Sequence, residues 1–163
     1  MSFTASVTLN GLSSSTLTAG AIAAVVNATA SSMGVSTNSV TYVSQTVATR
    51  RMTVIDTLFG RQLSSNVVAK MDVVANVIDF SGVTNGTVLY NTLKTKLTTA
   101  TTGTSFVKYL TAASKATGTT QTESVASVSA AVSAASIQFA PTYSPTTKAN
   151  KKRKFPIAAI IGE

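Results

Sequence analysis

Histidine, cysteine and tryptophan are all missing from this 163-residue chain, and charge is scarce. Without histidine there is no side chain that titrates near neutral pH and no imidazole to hold a metal. Without cysteine there is no thiolate nucleophile, zinc knuckle, iron–sulfur site or disulfide. The acids are only Asp56, Asp72, Asp79, Glu123 and Glu163. Paired-carboxylate chemistry needs two acids converging on one substrate. Asp72 and Asp79 stand seven apart in what reads as one strand, an odd separation that places them on opposite faces. The residue set thus argues against an enzyme, a cofactor or a small-molecule substrate, although a Ser–Lys dyad is compatible with the composition. Aromatics make up 6% of the chain and charged residues 11%, against about 25% charged in an ordinary soluble domain. No apolar run approaches the roughly 20 residues of a membrane span; Ala19–Val26 and Phe155–Ile161 are too short. Met1-Ser-Phe-Thr-Ala-Ser shows no basic start or apolar stretch of a secretory signal peptide.

What is present is small: 21 Ser and 28 Thr, with Ala and Val supplying much of the 44% hydrophobic content. Such a core is light, but the length suits one domain with a tail. The net charge of +8 is unevenly spread. Residues 1–49 carry none, residues 124–147 carry none, and the tail from Lys148 holds half of it. Soluble monomers scatter charge over their exposed faces. Two long uncharged segments therefore suggest surface covered by a neighbouring subunit or by sugar, the alternative being that Ser and Thr alone keep those faces hydrated.

Phe3, Ala5, Val7 and Leu9 alternate with Thr4, Ser6, Thr8 and Asn10, the pattern of a half-buried strand. Ser13–Ser15 offer N-cap hydroxyls for a helix from about Thr16 to Met33, with Ile22, Val25, Val26, Thr29 and Met33 on one face and Gly34 as its stop. Val35–Val47 reads as a second strand, and 49–61 as a hairpin arm or loop carrying Arg50, Arg51 and Arg61. Those arginines could meet phosphate or an acidic partner, or simply form a solvated tip. The third strand has Val67, Ala69, Met71, Val73, Ala75 and Val77 as its apolar row. A second helix starts near Thr87, with Leu89, Leu93 and Leu97 inward and Lys94 and Lys96 outward. Gly103 interrupts it, and Phe106, Leu110 and Ala113 suggest a further short helix. A last strand falls somewhere within 124–139, in no definable register.

The order β-α-β-β-α-β predicts an α+β fold: a two-layer, ferredoxin-like sandwich over residues 1–140, with an extended basic C-terminal tail over 141–163. In that topology the first and last strands are neighbours and the first helix packs across the sheet. One side of the molecule is then expected to be uncharged, with Arg50, Arg51, Arg61 and the second helix supplying charge on the other.

The strand ending in Leu9-Asn-Gly11, the helix Ala21–Gly34 and the following Val35-Ser-Thr-Asn-Ser-Val-Thr-Tyr-Val43 also resemble a recurring unit. They are similar to the SEA-like, ferredoxin-like repeats of surface proteins of algae and oomycetes, over roughly residues 3–115. The resemblance implies a non-catalytic surface or adhesion role and transfers no site residues. The chain departs from the pattern in having no cysteine. A large DNA virus of algae would also accommodate a basic, Ser/Thr/Ala-rich structural protein, so the expected location is a virion or a cell surface.

In the tail, Lys151, Lys152, Arg153 and Lys154 form a basic cluster. It suits nucleic acid, anionic lipid, a nuclear import signal or plain solvation. Phe155, Ile157, Ile160 and Ile161 follow it. Behind a proline-containing linker, this apolar segment suits docking on a partner subunit, or the opening of a membrane span. Asn27-Ala-Thr29 and Asn85-Gly-Thr87 are N-glycosylation sequons, with Asn27 expected on the polar side of the first helix and Asn85-Gly86 readable as a turn. The sequence-level expectation is a structural protein such as a minor capsid or coat subunit or a surface fibre, whose partners are other protein subunits. The alternatives are a cell-surface ectodomain and a basic nucleic-acid-associated protein.

Overall fold

A computed structural model describes residues 1–48 and 65–138. The basic tail and the arginine-bearing arm therefore lie outside the described residues. The elements are β1 (Ser2–Leu12), α1 (Ala19–Met33), β2 (Val40–Ala48), β3 (Ser65–Val74), α2 (Gly86–Thr102), α3 (Ser105–Thr117) and β4 (Ser127–Val132). Two single 3-10 turns, Thr37–Ser39 and Val77–Asp79, precede β2 and follow β3. The molecule is α+β, with one four-stranded antiparallel sheet in the order β2-β3-β1-β4 and three helices packed on one of its faces.

Strict alternation makes β1 and β3 the centre of the sheet. Phe3, Ala5, Val7 and Leu9 are buried and pair across to Val73, Met71, Ala69 and Val67, which are buried as well. At Gly11 the backbone turns to φ +93°, and the register shifts so that Leu12 returns to the core beside Ser65. A Cβ at Gly11 would stand 3.0 Å from the Ser124 carbonyl oxygen, so both conformation and space demand glycine there.

Several boundaries differ from the sequence reading. The N-cap of α1 is Thr18, whose Oγ1 accepts from the Ala21 N–H; Ser13–Ser15 stop short of the helix. Its buried face is made of Ala21, Ala24, Val25, Ala28 and Thr29, while Ile22 and Val26 are only half-buried. The main neighbour of α1 is α3, and small side chains on a buried helix face permit a close approach. β2 begins at Val40, not Val35, because the Ser36 hydroxyl accepts from the Asn38 N–H and folds 37–39 into a turn. β3 ends at Val74, so Val77 and Asp79 sit in the 3-10 turn and the opposite-face relation expected for Asp72 and Asp79 does not apply. The expected short third helix is 13 residues long, and the order becomes β-α-β-β-α-α-β. The loosely placed last strand is Ser127–Val132, short of Ile137.

The core fills the space between the layers. Leu89, Leu93 and Leu97 of α2, Phe106 and Leu110 of α3, and Val25 and Met33 of α1 are fully buried against the inner rows of β1 and β3. Ser114 of α3 donates to the Leu110 carbonyl and shares a buried hydrogen bond with Thr122, which ties the loop before β4 to the helices. Among the described residues no buried side-chain nitrogen or oxygen lacks a partner.

Candidate functional site

Because β1 and β3 alternate, their second rows form the outer face of the sheet, opposite the helices. Directly paired residues of antiparallel strands share a face, and the register then writes this surface out. Thr41, Asp72 and Thr4 make one row across β2, β3 and β1. Ser44, Lys70, Ser6 and Ala131 make the next, and Thr46, Val68, Thr8 and Ser129 the third. Asn10 pairs with Ser127 beyond them, and its Nδ2 donates to the Ser127 Oγ. Among the described residues the face is a platform of short hydroxyl side chains carrying one cation, Lys70, and one anion, Asp72. Asp72 Oδ1 accepts from Thr4 Oγ1 at 2.9 Å.

The uncharged side expected from β1, α1 and β4 does not separate from the second helix. α1 has no ionisable residue, yet it lies in the helical layer beside α2 and α3, which carry Lys94, Lys96, Lys108 and Lys115 and no acid. These four lysines are exposed. Burial inside the fold explains part of the uncharged sequence directly, because β1 is an interior strand and eight of the fifteen residues of α1 are buried. The remaining uncharged elements are β2 and β4, the two edges of the sheet.

Large exposed apolar side chains are scattered among the described residues, with Val74 at the end of β3, Val88 on α2 and Tyr109 on α3 as well as two on the β2 edge. Val43 is 52% exposed at the irregularity between Tyr42 and Ser44, and Val47 is 48% exposed farther along β2. Ile78, in the turn after β3, is 92% exposed. Hollows lie on the surface. One of about 440 Å³ lies between α1, α2 and α3 and is lined by Ser31, Lys96, Thr99 and Tyr109 among others. Another, of about 320 Å³, lies where Thr4, Asp72 and Ser133 meet. The first is also lined by Ser32 and Ser105, so it places serine and lysine side chains in one hollow, and among the described residues no hydrogen bond joins them. Among the described residues no three of His, Cys, Asp and Glu come together to hold a metal ion, and no helix is long and apolar enough to cross a membrane.

Of the sites expected from sequence, Asn27 and Asn85 fall within the described residues. Asn27 is half-buried on α1, and the Thr29 of its sequon is fully buried with its hydroxyl donating to the Val25 carbonyl. Asn85 is exposed and is the N-cap of α2, its Oδ1 accepting from the Val88 N–H at 2.9 Å. That cap explains Asn-Gly at this point without invoking sugar. Lys151–Lys154, Phe155, Ile157, Ile160 and Ile161 lie outside the described residues, as do Arg50, Arg51 and Arg61. The open edge of β2 escaped the sequence reading; its signal is nine consecutive residues with neither charge nor proline. No family model, curated protein or solved structure matches the chain.

Proposed function

We propose that the chain is a non-catalytic structural subunit of a larger assembly, such as a virion coat or a surface fibre. It would act by protein–protein packing, with its C-terminal segment docking on a neighbour. One observation carries the reading. Both edge strands are free of charge, and among the described residues the sheet face between them bears a single cation and a single anion. Solvated sheet faces and edges ordinarily carry more charge than this. The non-catalytic part of the reading rests on a sequence with neither histidine nor cysteine.

Within the same proposal, the sandwich is a ferredoxin-like one in which α3 is an added helix. The strand order β2-β3-β1-β4, with first and last strands paired, supports that topology. A kinship with SEA-like surface modules remains part of this proposal and rests on the residues of β1, α1 and β2. A second reading draws on the helical layer: Lys94, Lys96, Lys108 and Lys115, unaccompanied by acids, suit an anionic surface, whether membrane or nucleic acid.

Size-exclusion chromatography with light scattering tests the main reading. The expected result is a mass that is a multiple of 16.7 kDa and rises with concentration. A soluble monomer at millimolar concentration would contradict it.

A further inference from the structure

We propose that the outer edge of β2 is the acceptor for residues 157–161 of a second copy, which add to the sheet as a further strand and link molecules head to tail. This rests on the assembly reading above and names the surface and the segment through which it would occur.

A sheet edge presents a row of unpaired N–H and C=O groups, and soluble folds normally guard it with lysine, proline, shortness or a bulge. Among the described residues nothing pairs with the outer side of β2. The strand is nine residues long and holds no charged residue and no proline. Its guard is the irregularity between Tyr42 and Ser44, which leaves Ser44–Ala48 in unbroken register with Lys70–Asn66. Ser44, Gln45 and Thr46 leave that stretch uncharged, and Val47 within it and Val43 just before it are each about half exposed. The opposite edge, β4, is weaker as an acceptor: it has six residues, and its exposed ones are Ser127, Ser129 and Ala131.

The occupant follows from length and chemistry. Ile157-Ala-Ala-Ile-Ile161 has five residues, equal to the regular part of β2, with no charge and three β-branched side chains suited to a strand. Pro156 before it lacks an N–H and belongs at the entry of a strand rather than within it. Strand addition takes its affinity from main-chain hydrogen bonds and its specificity from the alternate side chains, here isoleucines meeting the rim at Val43 and Val47.

The assembly reading favours a second copy over the same molecule. The chain continues from β4, while β2 is the other edge of the sheet, three strand spacings or about 14 Å away. A donor at one edge and an acceptor at the other make a heterologous contact, which propagates from molecule to molecule. The 18 residues between Gln138 and Ile157 span at most about 60 Å, so the segment also reaches the β2 of its own molecule. The experiment must separate the two.

Three forms of the full chain are compared by sedimentation velocity: the unaltered protein, the edge variant V43K/V47K and the tail variant I157D/I160D/I161D. The substituted valines are half exposed, and circular dichroism and a cooperative melt confirm that each variant folds. The unaltered chain is expected to form a concentration-dependent series of oligomers, and each variant alone to stay monomeric. Mixed in equal amounts, the two variants should form a 1:1 dimer that grows no further, since one supplies the only intact tail and the other the only intact edge. Two monomers in the mixture would overturn the proposal. An edge variant that assembles as the unaltered chain does would overturn it too, while leaving the assembly reading standing. A monomeric unaltered chain removes both, including the case of a tail docked on its own β2. V43E/V47E controls for charge: it should hinder assembly as V43K/V47K does, and assembly of both edge variants at the level of the unaltered chain would refute strand addition.

Discussion

The rings of Phe3 and Tyr90 meet edge to face, with centroids 5.5 Å apart and planes 77° to one another, and this pair joins β1 to α2. The Tyr90 hydroxyl continues the connection by donating to the Ser133 carbonyl just after β4, at 2.7 Å. Lys94 Nζ stands 5.9 Å from the same ring, within cation–π range. One side chain thus bridges two strands from the helical layer. Tyr90→Phe should lose only the hydrogen bond at an exposed carbonyl, about 0.5–1 kcal/mol in urea unfolding. Tyr90→Ala also removes the aromatic pair and should cost about 2–3 kcal/mol. Equal effects of the two would show that the ring contact contributes nothing.

The buried face of α1 is made mostly of small side chains, and its tolerance is testable. Ala28 is fully buried, so Ala28→Leu forces extra volume into a filled space and should cost about 1–3 kcal/mol. Val26→Ala, at a half-buried site of α1, should cost no more than about 1 kcal/mol. The reverse ranking, read from chemical denaturation midpoints, would restore the face of Ile22 and Val26 as the packed one.

Two glycines separate conformation from space. Gly118 ends α3 with φ +66°, and a Cβ there would meet nothing within 4 Å, whereas Gly11 combines φ +93° with a backbone oxygen 3.0 Å away. Gly118→Ala should cost about 1 kcal/mol, the ordinary left-handed penalty. Gly11→Ala should cost about 2–3 kcal/mol, because a backbone oxygen cannot step aside as a side chain can. A thermal melt that ranks Gly118→Ala the worse would contradict the β1 geometry.

These cases show what the sequence displayed and what it hid. Phe3–Leu9 and Val67–Val73 read plainly as strands, since large apolar and short polar residues alternate with strong contrast. Leu89, Leu93 and Leu97 read plainly as a helix face for the same reason. Contrast fails where alanine and serine dominate. In α1 four of the six alanines are buried while Ile22 and Val26 are only half so, an order that hydropathy cannot flag. In β4 the run Ser-Val-Ser-Ala-Ala-Val has too little amplitude to fix a register. The placement of charge was hidden differently: α1 belongs to the lysine-bearing layer through its packing on α3, which no local pattern records. The open edge of β2 depends on strand order, a long-range property.

If assembly runs through the sheet, the helical lysines are bystanders. Replacing Lys94, Lys96, Lys108 and Lys115 by Gln should leave oligomer mass unchanged within error in light scattering. The same replacement should lower retention on heparin at low salt, where exposed cations act. Loss of assembly in this variant would move the interface to the helical layer.

Hydrogen–deuterium exchange of the full chain at increasing protein concentration tests most directly whether the uncharged sheet surface is covered in the native molecule. The amides of β2 from Ser44 to Val47 should become more protected as concentration rises, while those of α2 and α3 stay constant. Rapid exchange along β2 that is the same at every concentration, or protection that appears only in the helices, would contradict the account.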